Sequence, residues 1–265
     1  MSKPTITIVT VCFNCANELE KTILSVVNQT YPNIEYIIVD GASNDGTKDV
    51  LARYAGRISR IVSEPDKGVY DAMNKGIVLA SGEWINFMNA GDYFADEKAI
   101  EEFFNLVDSK TSGEILYGDT IVRYPFGTYY LTAENGHWFH QSVFTKTSLM
   151  KRYKFNLHYR ICADDDFFKR AVKEGAVMKY VPRVVSNYDH TDGLSSTRNR
   201  VMFLERSELN QVKKSMGWYL KLAIVNVKEY ADKILKIRKR TWYKNHILKK
   251  QKYMVESNPN MRLIK

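Results

Sequence analysis

Three aspartates recur in one local setting. Asp40 closes the apolar run Tyr36-Ile37-Ile38-Val39, Asp66 follows a run ending at Ser63, and Asp92 follows Trp84-Ile85-Asn86-Phe87-Met88, each in a turn of small or polar residues. Short β-prone runs without polar alternation read as strands buried on both faces, the pattern of a parallel sheet. Strands of such a sheet point their carboxyl ends the same way, and open α/β sheets bind ligands in the crevice outside those ends. Aspartate is also an ordinary turn and helix-capping residue, so any one of the three alone says little. Together they predict a rim of carboxylates that repel one another and call for a cation. Hard oxygen donors suit Mg2+ or Mn2+ carrying a substrate phosphate.

The elements that must position this rim alternate along the chain. Ile6 to Val11 reads as a first strand. Asn17 reads as a helix N-cap with Glu20 three residues on, ahead of the apolar face Leu19, Ile23, Val26 and Val27. A helix is expected over Thr47 to Tyr54, a strand over Ile58 to Ser63, and a helix from Val69 through Met73, Ile77 and Ala80 with Gly82 as its C-cap. The first strand-to-helix turn, Cys12-Phe13-Asn14-Cys15-Ala16-Asn17, lacks the Gly-x-Gly-x-x-Gly that lets backbone amides cradle a pyrophosphate, and no Gly-x-x-x-x-Gly-Lys-Ser/Thr is present. Phosphate charge is therefore left to metal and side chains.

At 265 residues, with 45% hydrophobic and 12% aromatic content, the chain can bury a full core as one large domain, or one domain plus an appendage. Its net charge of +9 is unevenly spread. Residues 218–265 hold thirteen Lys or Arg against Glu229, Asp232 and Glu256, a net of +10, which leaves 26 basic and 27 acidic residues, or −1, elsewhere. Basicity thus concerns the tail's partner and not the crevice. Cys12, Cys15 and Cys162 are an odd number without an apolar leader, and predict a reducing, cytoplasmic setting. Cys12-x-x-Cys15 lacks the second ligand pair of a zinc site. No apolar run reaches the ~18 residues of a membrane-spanning helix.

Between Trp218 and Ile237, Leu220, Ala223, Ile224, Val227, Tyr230, Ala231, Ile234 and Ile237 recur at three-to-four spacing among lysines, an amphipathic basic helix. Two readings stand. Its apolar face packs on the preceding domain with the basic face solvated, or residues 218–252 lie on an anionic membrane with Trp218, Tyr219, Trp242 and Tyr243 at headgroup level and Arg238-Lys239-Arg240 against phosphates. Nucleic acid is not expected, because the rest of the chain is near neutral and carries no recognition motif.

Ile8-Val9-Thr10-Val11-Cys12-Phe13-Asn14, Leu24-Ser25-Val26-Val27-Asn28-Gln29-Thr30-Tyr31, Glu35 through Thr47 and Ser63 through Gly76 resemble the family 2 glycosyltransferases, and among them bacterial enzymes that build capsule, exopolysaccharide and lipopolysaccharide. The likeness runs over roughly residues 5–195. It implies an α/β glycosyltransferase A-type fold: a Rossmann-like, mixed, mostly parallel sheet flanked by helices, with a catalytic domain over residues 1–217 and a helical extension over 218–265. It implies inverting transfer of a sugar from a nucleotide-diphosphate sugar to a hydroxyl of a glycan or lipid-linked acceptor, with a divalent cation.

Carried over by residue, the resemblance has Asp40 bind the nucleotide base and Asp66 line the nucleotide pocket, with Asn14, Lys67 and Asp71 in the same motifs. Asn89-Ala90-Gly91-Asp92 stands where the family has Asp-x-Asp, so Asn89 replaces the first carboxylate and Asp92 is left as the metal ligand. Ala163-Asp164-Asp165-Asp166 resembles the Glu-Asp motif, with Asp164 on the general base and Ala163 in place of Glu. An inverting transfer needs such a carboxylate to take the acceptor hydroxyl's proton. Asp165 stays open as the base, as does a plain acidic first turn for the following helix. His140-Gln141 matches a pair lining the sugar or acceptor pocket, or is a packed histidine beside aromatics. His190-Thr191-Asp192-Gly193-Leu194-Ser195-Ser196 resembles the loop over the diphosphate, with His190 completing the metal shell and Arg198 meeting phosphate, or is an ordinary loop. Two rivals remain: a nucleotidyltransferase attacking phosphorus on the same rim, and a non-catalytic sugar-nucleotide or membrane-binding protein.

Overall fold

Alternation along the first strand decides the layers. β1 (Ile6–Cys12) is buried throughout, and its side chains divide between two cores. Ile6, Ile8 and Cys12 join Leu19, Ile23 and Val26 of α1 (Ala16–Val27) on one face of the sheet. Val9 and Val11 join Ile37 and Val39 of β2 (Ile34–Asp40) on the other. The chain continues through α2 (Thr47–Tyr54), β3 (Arg60–Ser63), α3 (Val69–Leu79), β4 (Trp84–Phe87), β5 (Tyr93–Phe94) and α4 (Ala99–Asn105). After these come β6 (Ile115–Tyr124), β7 (Gly127–Leu131), β8 (Val143–Lys146), α5 (Thr147–Tyr153), α6 (Ala163–Lys173), β9 (Met178–Asp189), α7 (Asn199–Leu209), α8 (Met216–Ile234) and β10 (Met261–Leu263). This computed structural model describes residues 3–108, 113–189, 199–234, 249, 252 and 254–264.

The sheet runs β10-β7-β6-β8-β4-β1-β2-β3, with β9 beside β6 and β5 beside β9. β1 pairs in parallel with β2 and β4, and β2 with β3, so the turns bearing Asp40, Asp66 and Asp92 leave the same edge. Cys12, Asp40 and Ser63 are in register at that edge. β8 is antiparallel to β4 and β6, whereas β9 runs parallel to β6. The second half of the chain thus extends the parallel half into one mixed sheet, joined where β8 pairs with β4.

Three local expectations are corrected. α1 starts at Ala16, because Asp45 and Thr47 of the next turn take the Ala16 and Cys15 N–H groups at 3.2 and 3.1 Å, so Asn17 lies inside the helix and caps nothing. The third strand begins at Arg60, after a 3-10 turn over Ala55–Arg57. α3 is capped by Ala80 and not by Gly82. Gly82 instead lies so close to β1 that a Cβ there would fall 2.8 Å from Thr7 N and 2.9 Å from Thr5 O. The tail also departs from a purely helical extension: Met261–Leu263 pairs antiparallel with β7 at the sheet's edge. All three cysteines are free thiols. No helix among the described residues is long and apolar enough to cross a membrane.

Candidate active site

The β1 and β2 turns interlock through short polar side chains. Asn14 and Ala42 adopt left-handed backbone, with φ of 49° and 62°. Asn14 N–H donates to Ser43 Oγ at 2.8 Å, and Asn44 N–H returns a bond to Asn14 Oδ1 at 2.9 Å. The reversal at Ala42 folds Ser43 back over Asp40, whose carboxylate accepts from Ser43 N–H at 3.2 Å, from Ser63 Oγ at 2.6 Å and from the Ser43 hydroxyl. Asp40 has no exposed surface. Its carboxylate fastens the turn, its oxygens taken by Ser43 and Ser63. The surface next to it is built by others. Phe13 is 63% exposed, and a Cβ at Gly41 would meet Phe13 Cδ2 at 3.2 Å and Asp66 Oδ2 at 2.5 Å, so an aromatic face and a carboxylate flank a bare glycine. Asp66 Oδ1 accepts Gly68 N–H at 2.8 Å, and Asp71 accepts Lys67 N–H at 3.0 Å at the start of α3. The Lys67 side chain is exposed.

The second group of residues gathers where β4 meets β8. Asn86, buried in β4, donates to the carbonyls of Gln141 and Val143, both at 2.9 Å, and so sets the 3-10 turn His140–Ser142 beside the β4 turn. Gln141 Nε2 then donates to Asp92 Oδ2 at 2.7 Å, while Asp92 Oδ1 accepts Asp189 N–H at 3.2 Å. Asp92 is 7% exposed, and this burial pushes its carboxyl from the ordinary 3.8 up to about 6 despite those bonds.

His140 joins the β4 turn to α6. Its Nδ1 lies 3.2 Å from Asp164 Oδ2 and its Nε2 lies 3.2 Å from Asn89 Nδ2, the pattern of an Nδ1–H tautomer donating to Asp164. Tyr70 O–H is shared between Ile161 O at 2.6 Å and Asp164 Oδ1 at 2.9 Å, and Asp165 N–H donates to the same oxygen at 3.0 Å. Burial would raise the Asp164 carboxyl, but the bonds from His140 and Tyr70 outweigh it and hold the group below its ordinary value. Asp165 faces away, 3.7 Å from Arg206, and burial together with the Asp164 charge raises it. Of the two candidates, Asp164 alone carries the His140 and Tyr70 contacts.

One side chain far along the sequence holds the segment before Asp164. Glu205 of α7 is 8% exposed and accepts the backbone N–H groups of Arg160, Ile161 and Cys162 at 2.7, 2.9 and 3.0 Å. Removing it strands three donors, and Glu205→Ala is expected to cost about 2 kcal/mol of stability, read as a lower urea midpoint at unchanged slope.

The predicted rim is therefore two groups along one edge: Asn14, Asp40, Asp66, Lys67 and Asp71 at β1 to β3, and Asn89, Asp92, His140, Gln141 and Asp164 at β4, β8 and α6. His190 and Arg198 lie outside the described residues. Among the described residues no cluster of three His, Cys, Asp or Glu stands ready for a metal. The neighbourhood of Asp92 is nonetheless rich in acceptors, since Asn89 Oδ1 and Gln141 Oε1 are buried without partners. That set fits a hard cation whose remaining ligands come from substrate phosphate and water. Tyr70, Phe13 and Glu205 escaped sequence reading. Tyr70 lay within the stretch compared above, but nothing in its spacing pairs it with Asp164, 94 residues on.

A helix-flanked mixed sheet with polar turns at the carboxyl ends of its parallel strands, and a half-buried aspartate held by histidine and tyrosine, defines an α/β transferase-like site. The sequence profile of glycosyl transferase family 2 matches residues 7–175, and the chain belongs to that family. It is 30% identical over 226 residues to a PGL/p-HBAD biosynthesis glycosyltransferase of Mycobacterium bovis BCG, covering 78% of this chain and 85% of that one. It is 34% identical over 99 residues to the putative teichuronic acid biosynthesis glycosyltransferase TuaG of Bacillus subtilis, covering 36% and 39%. Among solved structures, Staphylococcus aureus TarS 1-349 in complex with UDP-GlcNAc superposes with a TM-score of 0.61 at 14% identity, over 91% of this chain and 77% of that one. The chain spans 46% of a longer TarS structure. Mannosyltransferase PcManGT of Pyrobaculum calidifontis, in complex with GDP-Man and Mn2+, superposes at 0.60 and 16% identity, over 98% and 82%. The fold is the glycosyltransferase A type.

Proposed function

We propose that this chain is an inverting glycosyltransferase that moves a sugar from a nucleotide-diphosphate sugar to a hydroxyl of a glycan or lipid-linked acceptor in surface polysaccharide synthesis, working at the cytoplasmic face of the membrane. The observation that carries this reading is Asp164, a carboxylate that accepts from Tyr70 O–H and His140 Nδ1, with His140 in turn reaching Asn89 in the β4 turn. The acceptor oxygen attacks the anomeric carbon as Asp164 takes its proton, the bond from that carbon to the diphosphate breaks, and the nucleoside diphosphate departs with the electron pair. Asp66 and the exposed ring of Phe13 offer the nucleoside a carboxylate and a stacking face. Asp92, with Asn89 beside it, would hold a divalent cation shared with the diphosphate, and the ion would neutralise charge gathering on the leaving group. Residues 1–217 form the catalytic unit in this reading, and 218–265 the appendage that gives β10 to its sheet.

Thermal unfolding with UDP, GDP, CMP and dTDP, each with and without Mn2+, tests the donor site. A nucleotide at a hundred times its dissociation constant stabilises a fold by about 2.7 kcal/mol. One diphosphate is expected to raise the midpoint, more so with Mn2+. No shift with any of them would overturn the reading. Release of pyrophosphate in place of nucleoside diphosphate on turnover would instead reveal a nucleotidyltransferase.

A further inference from the structure

α8 is apolar on two sides, and one of them is covered by α7. Trp218 is buried, with its ring 5.6 Å from Phe203 and its Nε1 donating to Ser207 Oγ at 3.0 Å. Val225, on the same side, lines with Trp218, Met202 and Phe203 the groove between the two helices. On the opposite side Met216, Tyr219, Leu220, Ile224, Val227 and Tyr230 are between 54% and 86% exposed. At 100° per residue they share an arc of about 140°, so they form one continuous stripe. Of the two readings open in the sequence, packing on the domain does not hold for these exposed side chains, and Trp218, expected at headgroup level in the other, is instead buried against α7 and anchors the helix by its opposite side.

A stripe of six large apolar side chains on one helix face marks a docking surface. We propose that it docks on an anionic lipid bilayer, with α8 lying in the headgroup plane and the stripe reaching the acyl boundary. Charge selects this occupant. Lys213, Lys214 and Lys221 are exposed at the start and flank of the helix, and the sequence continues through Lys228, Lys233, Lys236 and Arg238-Lys239-Arg240. The net +10 of residues 218–265 would set two copies of the chain against each other, whereas lipid phosphates complement it. A helix with a large apolar face and basic flanks lies on a membrane and does not cross it. α7, on which α8 packs, also carries Glu205, so a single helix joins the docked surface to the segment that places Asp164. The inference gives the proposed lipid-linked acceptor its surface and rests on that reading for its purpose.

Binding is read without turnover, by flotation of the full chain with vesicles of phosphatidylcholine alone or with phosphatidylglycerol added. The wild type is expected to float with the anionic vesicles and to release as salt rises. The double change Ile224→Glu with Val227→Glu is expected to weaken binding at least about tenfold at an unchanged thermal midpoint, and Lys221→Glu to weaken it less. Should the double variant unfold, Leu220→Ser reads the same face. Absence of wild-type binding to anionic vesicles, or equal binding by the variants, overturns the proposal. So does a wild-type dimer in sedimentation that Ile224→Glu dissolves, which would make a second copy the occupant. The nucleotide shift, measured without vesicles, separates failure here from failure of the transferase reading.

Discussion

Asp164→Asn is expected to lower turnover by about 10² to 10⁴ while leaving nucleotide affinity unchanged. That range is about 2.7 to 5.5 kcal/mol of lost transition-state stabilisation. Asparagine keeps the volume and an oxygen for Tyr70 O–H and Asp165 N–H, and gives up the bond from His140 Nδ1–H together with proton acceptance; the change stays at Asp164, so isothermal titration with the donor nucleotide should match the wild type. Because the bonds from His140 and Tyr70 hold Asp164 below its ordinary value, the acid limb that Asp164 sets, read at Mn2+ high enough to keep Asp92 ionised, should lie below that of an ordinary carboxylate. His140→Ala removes one of the bonds that favour the ionised form. The limb should then move up in pH, because desolvation acts against fewer opposing bonds. A limb that stays fixed, or an Asp164→Asn enzyme with normal turnover, would remove Asp164 as the base. Normal turnover in Asp165→Asn is the matching expectation, since Asp165 faces Arg206.

What the chain discloses before folding follows from how local each determinant is. Four strands of the parallel half were legible as short apolar runs, three of them ended by an acidic turn, and the buried Val9, Ile38 and Phe87 carry that signal; their order across the sheet was not, because it rests on pairings between distant segments. The capping of α1 was not, because it comes from Asp45 and Thr47 on a neighbouring turn and not from the helix's own residues. Asp164 and His140 could be picked out only through the resemblance, by Ala163-Asp164-Asp165-Asp166 and by His140-Gln141. That the two touch depends on Asn86 tying the His140 turn to β4, a contact across 55 residues. Asp40 depends on a determinant of the same kind: the left-handed Ala42 turns Ser43 onto its carboxylate, and no spacing in the chain signals that contact. Periodicity named the apolar positions of α8 without saying which way they face, because the helix is apolar on two sides and only the packing of Trp218 decides.

Asp92→Asn is expected to stabilise the resting fold at neutral and alkaline pH. Burial raises the Asp92 carboxyl from 3.8 to about 6, so the folded chain holds this proton more tightly than the unfolded chain. Its contribution is therefore complete below the unfolded value and is lost as pH climbs through about 6, a loss on the order of 3 kcal/mol for a shift of this size. Asparagine carries no charge to bury. Its oxygen can keep the Asp189 N–H, and Gln141 can turn its amide so that Oε1, now without a partner, accepts the new N–H. Urea midpoints measured at pH 5 and pH 8 should therefore diverge, with the variant gaining on the wild type at the higher pH; parallel curves would mean that the carboxylate is not penalised. The same substitution should abolish any stabilisation that Mn2+ adds to nucleotide binding. A carboxylate that destabilises the empty protein is a group whose charge is kept for a ligand, and a cation sharing the diphosphate is what would offset it. If Asp92→Asn were both more stable and equally responsive to Mn2+, the buried charge would serve the turn alone and the metal would have to be held elsewhere.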